Sequence, residues 1–304
     1  MSTPEPHDPD AEPAGFLVEV GPGDRVLFLD WRGAGDPGVL LIHGLSHTAW
    51  SWAPVARRLL PERRIVAMDL RGHGLSDAPT SGYDPAGFAA DVVAVAEGSG
   101  LLGTPGARVV LAGHGFGAMV AAWAATALGD RCAGLVLVDG GWESIEAASG
   151  MEVEEFLRVT DEPAEVMRSM AAFLTDRAGF DAASWDADQE RAARATVVET
   201  HAGRVVPTTR PHALEGSVRA MFGYDPLAPL RRIRAPIAAL IADAAGEPAR
   251  ARTLDDVSAA RVAAGRDPIA ITSLPHGHNL MRYRPEAVTA AILSVAASAA
   301  TPDR

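Results

Sequence analysis

The chain has a single cysteine, Cys132, so no intramolecular disulfide can form. It has no run of about 18 apolar residues, which excludes a membrane-spanning helix. It also lacks any excess of basic residues: Lys and Arg total 27 against 39 Asp and Glu, for a net charge of −12. That balance argues against nucleic acid or an anionic membrane surface as partner. The opening stretch has no apolar segment of the kind a signal peptide needs. Met1 to Gly15, rich in Pro, Asp and Glu, reads instead as a disordered tail. A cytoplasmic protein is expected, with its oligomeric state left open. Against these absences stand 304 residues, 48% of them apolar, enough for a sizeable core.

Phe16 to Val20 and Arg25 to Trp31 are short apolar runs split by Gly21-Pro-Gly-Asp24, a hairpin signature. Val39 to Ile42, Ile65 to Met68, Val109 to Ala112 and Leu135 to Val138 are continuous apolar runs. Such runs suit strands buried on both faces. Helical patterns separate them at Ala49 to Leu60, Phe88 to Ala96 and Ala118 to Leu128. Repeated βα units predict an α/β fold, a mostly parallel sheet flanked by helices. From about Gly141 to Tyr224 the alternation stops. Pro163 to about Leu174, Trp185 to His201 and Pro211 to Phe222 read as helices, with no clear strand among them. The alternation resumes with strands at Ile237 to Ile241 and Ile269 to Ser273, a helix near Arg250 to Ala264, and a last helix opened by Pro285. The organisation is a tail (1–15), an α/β core (16–140 and 226–298) and a helical insertion (141–225).

Arg108 to Ala118 runs as an apolar strand, a tight glycine turn and a helix of small residues. That is the layout of the G-x-S-x-G nucleophile elbow. Here it reads Gly113-His114-Gly115-Phe116-Gly117, with a glycine where the pattern calls for a serine. Three further segments accompany it in order. They are Leu41-Ile42-His43-Gly44 at a strand end, the turn Asp69-Leu-Arg-Gly-His-Gly-Leu-Ser-Asp77, and His276-Gly-His278-Asn-Leu280 after the last strand.

Together these four segments resemble the α/β-hydrolase fold superfamily, from about Phe16 to Ser298. A serine nucleophile needs a base within hydrogen-bond reach, and the base needs a carboxylate to fix its tautomer. The resemblance implies His278 as base and gives His276 a structural role. It favours Asp243 as the acid, with Asp139 and Glu247 as alternatives. The oxyanion hole would be the N–H groups of Leu45 and Phe116, beside His43, Gly44 and His114. The insertion would be a cap whose Trp142, Phe173, Trp185, His212 and Met221 line a pocket for a small-molecule substrate. No metal and no cofactor is implied.

Several readings stay open. One is hydrolysis of an ester, lactone or C–C bond in a small, partly apolar molecule. Gly115 would then mark either an engineered inactive variant or a natural site without a nucleophile, where His278 activates a water. Ser46, near the oxyanion loop, is read as a loop hydroxyl. A second reading is a His-base lyase, cyclase or decarboxylase of secondary metabolism. A third is a pseudoenzyme that only binds its ligand. A fourth is dinucleotide binding, since Gly113-x-Gly115-x-x-Ala118 matches G-x-G-x-x-G/A and Asp139 ends the next strand. That motif belongs on the first βα turn of its domain, whereas here it follows at least two core strands.

Overall fold

The structure is a computed structural model that describes residues 11–60, 62–160, 162–243 and 248–300. The chain opens with β1 (Ala14–Gly21), β2 (Asp24–Arg32) and β3 (Gly38–Ile42). Then come α1 (Ala53–Leu59), β4 (Ile65–Met68), α2 (Pro85–Gly98), β5 (Val109–His114), α3 (Phe116–Leu128) and β6 (Cys132–Val138). An insert follows: α4 (Ile145–Ser149), α5 (Val153–Val159), α6 (Met170–Gly179), α7 (Ala187–Ala195), β7 (Val197–Glu199), β8 (Val205–Pro207), α8 (Pro211–Phe222) and α9 (Leu227–Leu230). The chain returns with β9 (Ile237–Ala242), α10 (Pro248–Ala263), β10 (Ala270–Leu274), α11 (Leu280–Tyr283) and α12 (Pro285–Ala300).

Eight strands form one sheet in the order β1-β2-β4-β3-β5-β6-β9-β10. The β1–β2 and β2–β4 pairs are antiparallel, and every later pair is parallel. This is the α/β-hydrolase architecture. Alternate side chains explain the continuous apolar runs. Leu40, Ile42 and Leu111 pack on one face against Phe88 of α2 and Met119 of α3. Val39, Leu41 and Val110 pack on the other against Val55 of α1 and Ile292 of α12. Each such side chain contributes roughly 1.5–3 kcal/mol by leaving water. Strand order reverses at β3, which lies between β4 and β5. A crevice opens beyond the carboxyl ends of strands at such a switch point.

Several elements differ from the sequence expectation. β1 begins at Ala14, inside the expected tail, and Arg57 Nε donates to the Ala11 carbonyl at 2.9 Å. The rest of that tail, 1–10, lies outside the described residues. The insert contains a two-stranded antiparallel ribbon, β7–β8, where only helices were expected. Its Val197 and Val205 are buried against Met167 and Phe173, so β-branched packing prevails over helical continuation. The expected helix at Pro163 starts only at Met170, because the Ser169 hydroxyl caps it by accepting from Ala172 N–H. Cys132 opens β6 with its thiol buried, which pushes its pKa up to about 12.

Candidate active site

β5 ends, the chain turns sharply, and α3 begins. Sterics make that turn possible only with glycine at its two framing positions. A Cβ on Gly113 would sit 2.1 Å from the Gly117 carbonyl oxygen, and one on Gly117 would sit 2.3 Å from the His43 carbonyl oxygen. Between them Gly115 has φ 53° and ψ −115°, a conformation that side-chain-bearing residues adopt only under strain. Its backbone N–H donates to the Val138 carbonyl of β6 at 3.0 Å. The elbow is thus pinned at the switch point between β3 and β5.

His278 lies on the loop after β10. Its Nδ1 is 2.5 Å from Asp139 Oδ2. A Cβ built on Gly115 would lie 3.1 Å from His278 Nε2, which therefore faces residue 115. Asp139 follows β6 directly and is 3% exposed. Its Oδ1 accepts from the Ala242 N–H at 2.9 Å and from Arg250 Nη1 at 2.8 Å. Burial alone would raise the Asp139 carboxyl. The hydrogen bond and charge of His278, with the charge of Arg250, outweigh it and hold the group below its ordinary value. Arg250 also forks to Glu143, with Nη2 2.6 Å from Oε1.

Asp243 occupies a different place. It lines the same cavity, but its carboxylate accepts from Ser273 Oγ at 3.4 Å, while His278 is bonded to Asp139. The sequence expectation placed Asp243 first, and the geometry brings Asp139 to the histidine instead. The reason is the end of β9: the Ala242 N–H holds the Asp139 carboxylate, and Asp243 N–H turns away to the Leu274 carbonyl at 2.8 Å. Glu247 lies outside the described residues.

The cavity in front of Gly115 has a volume of about 520 Å³. Gly44, Leu45 and Phe116 border it on the core side, and Ile145, Phe156 and Met221 on the insert side. Phe116 is the first residue of α3, so its N–H has no partner within the helix. His43 is fully buried and does not reach the cavity. Its Nδ1 donates to the Gly44 carbonyl at 2.7 Å, and its Nε2 accepts from Leu70 N–H at 2.9 Å, fixing the loop. His114 is buried below the elbow, and its Nε2 donates to the His278 carbonyl at 3.0 Å. His276 stacks on Tyr283 and pairs its Nε2 with Arg284 Nη1 at 3.2 Å. Ser46 is exposed with φ 58° and does not line the cavity.

Four of the five expected pocket residues lie outside this cavity. Trp142 follows Gly140-Gly141 and is turned fully into the core, with the Arg250 guanidinium 5.4 Å over its ring. His212 is exposed and packs edge-on to Tyr83, with Nε2 3.1 Å from the Pro79 carbonyl. Phe173 is buried inside the insert. Trp185 lines a neighbouring cavity, and Met221 lines this one.

Sequence reasoning missed His47, Glu143 and Arg250, which also line the site. His47, two residues beyond Leu45 on the loop after β3, could have been suspected from its position. Arg250 reaches Asp139 across 111 residues of chain, which leaves no local signal. Among the described residues no group of three or more His, Cys, Asp or Glu is placed to hold a metal. Nor is any helix among them long and apolar enough to cross a membrane.

The chain resembles known proteins over much of this framework. It is 33% identical over 109 residues to 2-(acetamidomethylene)succinate hydrolase of Mesorhizobium japonicum, covering 36% of this chain and 37% of that protein. It is 37% identical over 89 residues to epoxide hydrolase 4 of Mus musculus, covering 29% and 23% respectively. These matches span well under half of either relative. In structure, it superposes on E-2-(acetamidomethylene)succinate hydrolase with a TM-score of 0.76 at 21% identity, over 93% of this chain and 98% of the other. It superposes on the thioesterase domain from the curacin biosynthetic pathway with a TM-score of 0.71 at 22% identity, over 92% and 99%. At such identities the likeness is one of fold. The sequence pattern of the alpha/beta hydrolase family matches residues 39–291, a span that holds the elbow, Asp139 and His278, and the chain belongs to that family.

Proposed function

We propose that this protein is a hydrolase of a small, partly apolar organic substrate, in which water occupies the place a serine hydroxyl would take. The observation that carries this is the His278 ring, with Nδ1 on Asp139 and Nε2 turned to residue 115, where no side chain stands. A water between Nε2 and the substrate carbonyl loses its proton to Nε2 as its oxygen bonds to the carbonyl carbon. Charge passes to the carbonyl oxygen, which the N–H groups of Leu45 and Phe116 receive. The tetrahedral species collapses, the bond to the leaving group breaks, and His278 returns the proton to that group. Asp139 stays ionised and steadies the imidazolium. Forgoing the covalent step limits the rate: triad-deficient sites retain roughly 10³–10⁴-fold over water. The same place at residue 115 also suits His278 as a base toward a substrate proton, the step a lyase or cyclase needs.

Turnover of an alkyl ester with a β-hydrogen, or of a lactone, in ¹⁸O-labelled water separates the two. Hydrolysis leaves one ¹⁸O in the acid product, and His278→Ala abolishes it. Product without the label would replace hydrolysis with base-driven elimination.

A further inference from the structure

A second cavity, about 380 Å³, lies on the α6–α7 side of the insert and meets the first at His47, which lines both. The two differ in charge. Asp139, Glu143 and Asp243 line the first beside Arg250. Among the described residues, the second is lined by Arg177 and Arg282 and by no acidic side chain. In a chain of net charge −12 with no lysine, the cations of this lining are both arginines.

Among the described residues, His47 Nδ1, Thr48 Oγ1 and Asn279 Oδ1 are buried without a hydrogen bond, and all three residues line this cavity. Arg177 faces two carboxylates, Glu162 through Nη2 and Asp176 through Nε at 3.7 Å. Its guanidinium also lies 4.8 Å over Phe173 and 5.5 Å over Phe180. Arg282 is held by neutral acceptors, with Nε donating to Ser184 Oγ and Nη2 to the Asp181 carbonyl, each at 2.7 Å. Its plane rests on Trp185 at 5.6 Å and Tyr283 at 5.4 Å. A guanidinium hydrogen-bonded to neutral groups among aromatic rings keeps much of its charge for a ligand, although the Asp181 carboxylate lies near enough to feel it. Its planar fork matches a carboxylate.

We infer that this second cavity is a carboxylate subsite: the substrate is an organic acid whose carboxylate sits on Arg282 and Arg177 while its reacting end passes His47 toward Gly115. The position of the reacting end rests on the hydrolytic reading; the anion site does not. His47 suits the junction because burial, aided by the charges of His278, His73 and Arg177, lowers it to about 4. It is therefore neutral near pH 7 and adds no charge of its own.

The test is calorimetric titration of the whole chain with benzoate, phenylacetate, 3-phenylpropionate and 4-phenylbutyrate, each beside its primary amide. At least one acid should bind about tenfold or more tightly than its amide, as charge-assisted hydrogen bonds imply. Salt raised from about 0.05 to 0.5 M should weaken the acid and spare the amide. Arg282→Gln should remove most of the preference, and Arg282→Lys should restore part of it. Equal binding of every acid and its amide, or no binding of any acid below about 10 mM, where ΔG is under roughly 3 kcal/mol, would overturn the subsite. So would an Arg282→Gln protein with native circular dichroism and an unchanged preference. Acid binding in a protein that hydrolyses nothing supports the subsite and counts against the hydrolytic reading. Turnover of neutral esters with no acid preference does the reverse.

Discussion

His278 holds its two ring nitrogens to opposite tasks: Nδ1 lies 2.5 Å from Asp139 Oδ2, and Nε2 faces the point 3.1 Å away where a side chain on residue 115 would begin. A carboxylate on Nδ1 fixes the tautomer that leaves Nε2 free to take a proton. The ring is therefore aligned toward residue 115, a glycine.

If Asp139 sets that tautomer, Asp139→Asn should lower kcat by roughly 10²-fold, the low end of what a positioned general base contributes. Asp243→Asn should stay within about threefold of the parent, below the roughly 1.4 kcal/mol that a tenfold change represents. Steady-state kinetics on the two variants decides between the carboxylates, and the opposite ranking would restore Asp243 as the acid.

Gly115 has φ 53°, so giving it a side chain carries a conformational cost. Gly115→Ser and Gly115→Ala should each lose about 1–3 kcal/mol of stability. Urea denaturation measures this directly. A gain in stability in either variant would mean that residue 115 does not hold the strained elbow conformation.

Arg250 links Asp139 to Glu143, and both carboxylates are largely buried. Arg250→Gln leaves the two acids facing each other without their cation and should cost about 3 kcal/mol. Arg250→Gln combined with Glu143→Gln should recover part of that loss, since one uncompensated charge goes with it. Strictly additive losses in a double-mutant cycle would show that the three groups are not coupled.

Three buried histidines, His43, His73 and His114, and the half-buried His47 make the fold sensitive to acid. Burial is the main cause that takes His47 and His73 to about 4 and leaves His43 and His114 well below 6.5. The unfolded chain therefore binds more protons than the folded one below pH 6.5. Stability is full above that pH and falls through the window down to about 4, by roughly 1.4 kcal/mol per pH unit for each histidine. Asp69, raised to about 6 by burial, and Asp91, also raised by burial, act in the opposite sense, and four groups outweigh two. His73→Asn should shrink the stability lost between pH 7 and 5.5 by about 1.4 kcal/mol. An undiminished loss in chemical denaturation would contradict this.

Much of this was legible from local sequence. The β5–α3 turn could be read because Gly113 and Gly117 are enforced by contacts under 2.5 Å, and the strands because alternate residues are buried on both sheet faces. Which carboxylate meets His278 was not legible. Asp139 and Asp243 each follow a core strand, and the contact of His278 Nδ1 with Asp139 Oδ2 joins residues 139 apart in the chain. Trp142 misled because an aromatic just past a site strand resembles a pocket wall, whereas the Gly140-Gly141 turn sends it into the core. The ribbon of Val197 to Glu199 with Val205 to Pro207 was hidden because three-residue strands carry too little periodicity to outweigh a helical neighbour.

The alignment of His278 on residue 115 is tested most directly by treating Gly115→Ser with a fluorophosphonate beside the parent protein. Covalent labelling of Ser at position 115, absent from the parent and abolished by adding His278→Ala, is the expected result. No labelling of a folded Gly115→Ser protein would mean that the His278 ring does not address this position.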